Sequence, residues 1–156
     1  MERDLVLTPQ GKRRLERELE QLKYAGRQEI AERLQHAVEA GGELTENAEY
    51  LAAKEEQARL EQRIIDLEDR LQGAHVAKRM APRGTVDVGA HVRLRDRDAR
   101  RTEEWDIVGS GEGDPEEGRI SRESPIANAL LGHHEGEVVE IETPGGVRHV
   151  KILVVR

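Results

Sequence analysis

Residues Ala53, Gln57, Leu60, Ile64, Leu67 and Leu71 recur at a strict four-three spacing, and few patterns restrict a fold more. A period of 3.5 residues keeps one apolar seam on one side of a helix and demands a second helix to bury it. That second helix is encoded just upstream. Leu15, Leu19, Leu22, Ile30, Leu34 and Ala37 recur at threes and fours with Gly26 in the gap, which predicts a helix running to about Ala40. Thr8-Pro9 suits its start, offering a capping hydroxyl and then a proline whose missing N–H costs nothing in the first turn. Gly41-Gly42 suits its end. Thr45 is the expected cap of the later helix, with Glu46 and Glu49 in its first turn at the positive end of the dipole. Two stripes joined by a turn of a few residues make an antiparallel hairpin, with arms about 40–50 Å long.

Composition agrees with so thin a layer. Hydrophobic residues make up 36% of the 156 and aromatic ones 2%, while 37% are charged; this is too little apolar mass for a large core and too much for disorder. The absence of cysteine excludes disulfides and thiol catalysis and agrees with a cytoplasmic protein. The N-terminal stretch carries no apolar signal region, and no window approaches a membrane span. A net charge of −7 argues against sequence-independent binding to duplex nucleic acid.

The pattern changes after Gly73. Lys78–Gly84 reads as a linker, and β-branched alternation predicts strands at Val86–Val88, Val92–Arg95, Trp105–Val108, Val138–Ile141 and Val150–Val155. Pro144-Gly145-Gly146 is the expected turn between the last two. Ser124-Pro125 opens a short helix that Gly132 closes. The chain is therefore read as an α+β protein of two domains: a helical hairpin over 1–76 with an acidic tip at 41–47, a linker over 77–84, and a domain over 85–156 with a mostly antiparallel sheet.

Between Leu34 and Ala53 lie Glu39, Glu43, Glu46 and Glu49, and no lysine or arginine. One reading is a solvated acidic turn, since two carboxylates about 6 Å apart in water repel by only about 0.7 kcal/mol. The other is that Glu43 and Glu46 form half a site for a hard divalent cation. Mg²⁺ is commonly held by one or two carboxylates plus waters and substrate phosphates, so such a site works where another macromolecule completes it.

Leu7-Thr8-Pro9-Gln10-Gly11, the run Glu43-Leu44-Thr45-Glu46-Asn47-Ala48-Glu49-Tyr50, and Ala52-Ala53-Lys54-Glu55-Glu56-Gln57 resemble the bacterial transcript-cleavage factors of the GreA/GreB family, nearer the GreA branch. Ser124-Pro125-Ile126-Ala127, Ala129-Leu130-Leu131-Gly132 and Thr143-Pro144-Gly145-Gly146 are similar to the same family's C-terminal half. The resemblance implies a coiled-coil hairpin followed by an FKBP-like domain. It implies that the second domain docks on RNA polymerase while the hairpin enters the secondary channel. There the tip carboxylates help hold a second Mg²⁺, and the polymerase hydrolyses the 3′ end of backtracked nascent RNA. The catalyst is then the polymerase, and this chain is no enzyme by itself. Matched position by position, Glu43 and Glu46 are the metal-presenting pair, Asn47 and Tyr50 support the tip, Lys54 faces RNA or the channel wall, and Ser124, Pro125 and Ile126 belong to the docking surface. A monomer is expected, with Mg²⁺ as the sole cofactor and only in the complex.

Three positions depart from the family pattern: Glu43 replaces an aspartate, Gly41-Gly42 adds a residue to the turn, and Val38 stands where an arginine is common. Because a misplacement of about 1 Å can cost about a hundredfold in rate, they motivate an alternative, a homologue that occupies the channel and inhibits or retunes polymerase without promoting cleavage. A prolyl isomerase lacks its aromatic-lined pocket here, Trp105 being the sole aromatic residue of the second half. A coiled-coil adaptor without chemistry would keep its activity when Glu43 and Glu46 become alanine. His133-His134 has no further metal-ligand spacing around it, and Arg93–Arg101 reads as a solvated strand face of alternating sign.

Overall fold

The computed structural model describes residues 5–78 and 81–156. The chain divides into two compact units, one of residues 12–73 and one joining residues 1–11 to 74–156. The segments 5–11 and 74–76, read from sequence with the hairpin, group by their contacts with the C-terminal unit.

The helical unit contains α1 (Pro9–Gln21, whose first turn falls in the other unit), a π-helical turn at Leu22–Gly26, α2 (Arg27–Glu39), a 3-10 turn at Leu44–Glu46, and α3 (Ala48–Gly73). The seam is buried where the heptads place it, at Ala53, Ile64 and Leu67 on α3 and at Ile30 and Ala37 on α2. The π turn has a reason in the sequence. Leu22, Gly26, Ile30 and Leu34 follow one another at a uniform four, which drifts off a 3.5-residue seam, and one wide turn absorbs the extra residue and returns the stripe to its partner. A Cβ on Gly26 would meet Leu60 Cδ1 at 3.2 Å, so the two arms approach closely at that level. Outside the seam the arms are laced by ion pairs. Arg27 grips Glu61 through two N–H donors at 2.9 Å each, Arg33 meets Glu56 at 2.5 Å and Arg63 meets Glu18 at 2.7 Å, and Lys23 pairs with Glu68. These pairs are solvent-exposed, so they set register more than stability.

In the other unit β1 (Leu5–Leu7) runs parallel to β2 (Ala74–Val76). A five-stranded sheet follows in the order β5-β4-β3-β7-β6, built from β3 (His91–Asp96), β4 (Thr102–Val108), β5 (Arg119–Ser121), β6 (Val138–Thr143) and β7 (Gly146–Val155). Only β4 and β5 pair in parallel within it. α4 (Pro125–Leu130) lies against β6 and β5, and its Ala127 and Leu130 join Val92, Leu94, Ile107, Ile141 and Ile152 in the core. Trp105 packs on the edge of that core. Pro144-Gly145 forms the turn between β6 and β7, as expected, and Gly146 takes the φ of 119° that glycine permits.

Val86–Val88 is not a strand. Its hydrogen bonds go to a neighbouring loop, Val86 N–H to the His133 carbonyl and Gly132 N–H to the Val86 carbonyl, so an apolar run that reads as a strand is a buried irregular segment. The Lys78–Gly84 linker ends in a turn that Thr85 N–H closes on the Pro82 carbonyl, and Arg79 and Met80 lie outside the described residues. Strands β1, β2 and β5, each of three residues, were too short to show a period.

The start of α1 is a capping box assembled from two distant segments. Thr8 Oγ1 accepts from Gly11 N–H at 3.0 Å. The glutamate that would ordinarily stand at position 11 and reach back to the cap is Glu112, which accepts from Thr8 N–H at 2.8 Å, Thr8 Oγ1 at 2.5 Å and Gly109 N–H at 3.0 Å. A Cβ on Gly11 would lie 1.6 Å from that carboxylate, so a side chain there would push Glu112 away from Thr8.

His149, half-exposed on β7, has a carboxylate at each ring nitrogen, Asp98 at 3.3 Å and Glu140 at 3.2 Å. The hydrogen bond with Asp98, then that with Glu140, raises its pKa above the ordinary 6.5. A raised folded-state value means that the stabilisation is fully present below about pH 6.5 and fades as pH climbs through the folded value. The expected result is that His149→Gln loses more stability relative to the parent at pH 5.5 than at pH 8.5, as read by urea denaturation at the two values.

Candidate functional site

The turn between α2 and α3 is made by residues that leave helical geometry in sequence. α2 runs out at Ala40, whose N–H still reaches His36 O, and Gly41 and Gly42 follow with φ of 79° and 88°, a conformation that costs glycine nothing. Glu43 is extended, at φ −73° and ψ 128°. Its carbonyl then accepts from Glu46 N–H at 3.1 Å, closing a single 3-10 turn. The two residues thus bracket that turn, Glu43 as its extended N-cap and Glu46 as its last residue. Both are exposed, and among the described residues neither carboxylate has a hydrogen-bond or ion-pair partner.

Asn47 holds this turn from both sides. Its Oδ1 accepts from Tyr50 N–H at 3.0 Å, which makes Asn47, and not Thr45, the N-cap of α3. Its Nδ2 donates to the Ala37 carbonyl at 2.8 Å, one of the last carbonyls of α2, which a helix end leaves without a partner. One side chain thus ends one helix and starts the next. Thr45 and Glu46 belong to the separate 3-10 turn, and only Glu49 lies in the first turn of α3. The preference of asparagine for N-caps was the available signal, and Thr45 competed for it two residues earlier.

Asn47→Ala removes the cap and leaves the Ala37 carbonyl without its donor, with an expected loss of about 1–2 kcal/mol. Asn47→Asp keeps the acceptor and loses the donor, so it recovers part of that. Hydrogen exchange at the Tyr50 amide reads both, accelerated most in the alanine variant.

The remaining candidates are placed as follows. Tyr50 is half-buried in the first turn of α3. Lys54 is exposed, and its ammonium donates to Gln57 Oε1 at 3.2 Å. Ser124 caps α4, its Oγ accepting from Ala127 N–H at 3.1 Å, and Pro125 is the first residue of that helix. Ile126 packs partly on the core and retains partial exposure. Glu43, Glu46, Asn47 and Tyr50 thus share one turn region of the helical unit, while Ser124, Pro125 and Ile126 belong to the other unit. Among the described residues no group of three or more acidic, histidine or cysteine side chains is arranged to hold a metal. Two hard oxygen donors suit Mg²⁺ in kind but are too few to retain it unaided.

Two family descriptions divide the chain between them. "Transcription elongation factor, N-terminal" matches residues 5–76, and "Transcription elongation factor, GreA/GreB, C-term" matches residues 81–156. Transcription elongation factor GreA of Bacillus cereus is 46% identical over 156 aligned residues, which cover 99% of this chain and 98% of that one. The chain belongs to the GreA/GreB family of transcription elongation factors. The GreA of Clostridioides difficile is 43% identical over 155 residues, covering 99% of this chain and 97% of its own. Among solved structures, GreA factor homologue 1 of Thermus thermophilus is 30% identical with a TM-score of 0.44, over 99% of both chains. Among the described residues of this GreA/GreB chain no helix is long and apolar enough to cross a membrane.

Proposed function

We propose that this chain is a cytoplasmic, monomeric transcript-cleavage factor. It binds RNA polymerase, inserts the hairpin into the secondary channel, and presents Glu43 and Glu46 to a Mg²⁺ ion shared with the polymerase active centre, so that backtracked RNA is hydrolysed near its 3′ end. The observation that carries this reading is the tip itself: two exposed carboxylates without partners among the described residues, bracketing one 3-10 turn, on a turn that Asn47 ties to both helices. Membership of a family of elongation factors supports it.

Each residue then has a task. Glu43 and Glu46 supply hard oxygen donors that leave most of an ion's coordination shell to the polymerase and RNA. When bound, Mg²⁺ polarises a phosphodiester and lowers the pKa of its water. Asn47 fixes the turn before the partner is met, so the carboxylates arrive positioned rather than being ordered on binding, and ordering costs affinity. Tyr50 fills the first turn of α3 behind them. Lys54 offers a cation toward RNA or the channel wall, at the modest cost of its bond to Gln57. Ser124, Pro125 and Ile126 dock the other unit, Ile126 through its exposed part. The chain positions and ligates; the bond-breaking centre is the polymerase's.

Glu43 carries one methylene more than the aspartate of the family pattern, and both glycines before it are left-handed. These features favour a second reading, in which the factor occupies the channel without promoting cleavage. Halted elongation complexes carrying backtracked, end-labelled RNA separate the two. Addition of the factor is expected to release short 3′ fragments and to restore extension. Occupancy with slowed extension and no fragments would establish the second reading in place of the first.

A further inference from the structure

The solvent face of the five-stranded sheet neutralises its own charges almost row by row. On β3 and β4, Arg93 meets Glu104 at 2.6 Å and His91 meets Asp106 at 2.7 Å. On β7 and β6, His149 meets Glu140 at 3.2 Å. One row breaks the rule. Arg95 of β3 lies directly opposite Lys151 of β7, both exposed. The same row continues to Thr102 of β4 on one side and Val138 of β6 on the other, so it offers no carboxylate. Among the described residues neither cation has an ion pair or hydrogen bond.

Directly opposed strand residues stand about 5 Å apart, and like charges there destabilise a sheet. β3 and β7 are interior strands of the sheet, so the two cations cannot splay off an edge. A guanidinium fork, an ammonium and a hydroxyl in one row are the donors a carboxylate or phosphate takes. The width of the patch decides between those two. Glu104 and Asp106 flank it on β4 and Glu140 and Glu142 on β6, while the adjoining connection carries Arg97, Asp98, Arg100 and Arg101, the last paired with Glu103. A phosphate backbone needs a basic track over several charges, whereas the neighbouring rows are paired charges with no positive excess along the strands, in a chain of net charge −7. A single acidic side chain on a protein surface meets only the two cations. Val138, 45% exposed beside Lys151, offers an apolar neighbour contact.

We propose that Arg95, Lys151 and Thr102 form a receptor, in the middle of the exposed sheet face, for an acidic side chain of a protein partner, with Val138 taking an apolar residue next to it. Resting on the function proposed above, that partner is RNA polymerase, and the row is a docking point of the C-terminal unit separate from Ser124, Pro125 and Ile126.

The test is a titration of fluorescently labelled factor with core RNA polymerase at low and moderate salt, comparing the parent with Arg95→Glu/Lys151→Glu and Arg95→Gln/Lys151→Gln. The charge reversal is expected to weaken binding by about tenfold or more, the neutral pair by less, and the difference is expected to shrink as salt rises. Thermal unfolding is the second readout. Removing opposed like charges should leave the neutral pair at least as stable as the parent, and a lower midpoint would show the cations to be satisfied within the chain and overturn the proposal. Equal polymerase affinity of parent and charge reversal also overturns it, leaving the cleavage function untouched. Failure of the parent itself to bind polymerase overturns both. A third arm uses single-stranded RNA and duplex DNA oligonucleotides without polymerase. Charge-dependent binding there, with polymerase affinity unchanged, would make the row a nucleic-acid contact and reject the acidic-protein partner.

Discussion

Glu43→Ala and Glu46→Ala are each expected to lower factor-dependent RNA cleavage by about a hundredfold or more, with polymerase binding little changed. The size follows from the site's economy. If the tip contributes only two donors, losing one removes half of what the chain gives the ion, and displacements near 1 Å already cost about that much in rate. The location makes the result clean. Both side chains are exposed and without partners among the described residues, so their truncation should change stability by no more than about 0.5 kcal/mol. Unfolding midpoints matching the parent's, beside a collapsed cleavage rate, would separate lost chemistry from lost fold. Glu46→Gln keeps shape and loses charge, and is expected to resemble the alanine variant; a glutamine variant that cleaves normally would assign Glu46 a steric role.

The largest stability effect is expected at Gly109. A Cβ there would lie 2.2 Å from the Val6 carbonyl oxygen, 2.8 Å from Leu7 Cα and 2.3 Å from Glu112 Oε2. A carboxylate can swing away, but the backbone of β1 cannot move without breaking its pairing with β2 and the bond from Ser110 N–H to the Val6 carbonyl. Glu112 would also lose the geometry with which it accepts from Thr8. Gly109→Ala is therefore expected to cost about 3 kcal/mol or more, read as a lowered urea midpoint. Gly11→Ala meets only the flexible end of Glu112, so it should cost less. Equal losses at the two sites would mean that β1 yields more readily than its hydrogen bonding implies.

The hairpin was legible because its signal is a period. Leu60, Ile64 and Leu67 specify a seam whatever lies elsewhere, and the left-handed glycines mark the turn. Glu43 and Glu46 were legible as an acidic pair, whereas the 3-10 turn that joins them is announced by no propensity of Leu44-Thr45-Glu46. Thr45 and Asn47 are both good caps, and the choice fell to Asn47 because its amide has, besides the capping oxygen, an NH2 able to reach the Ala37 carbonyl, a tertiary fact. Glu112 reads as one more acid in a glycine-rich loop, and nothing local ties it to Thr8. Val86–Val88 failed for the opposite reason. Burial alone produces an apolar run, and its hydrogen bonds were taken by His133 and Gly132 in place of a strand partner. The π turn at Leu22–Gly26 was not read from the sequence, where the stripe passed for one uninterrupted helix with Gly26 in a gap.

The most direct measurement of the central claim is the Mg²⁺ dependence of transcript cleavage in backtracked complexes, with no factor, with the parent, and with Glu43→Ala/Glu46→Ala at saturating occupancy. If the tip completes the coordination of an ion, the parent lowers the Mg²⁺ concentration needed for half-maximal cleavage, and the double variant returns it to the value seen without factor. If parent and double variant share one Mg²⁺ dependence and one rate, the carboxylates do not hold the ion and the account is contradicted.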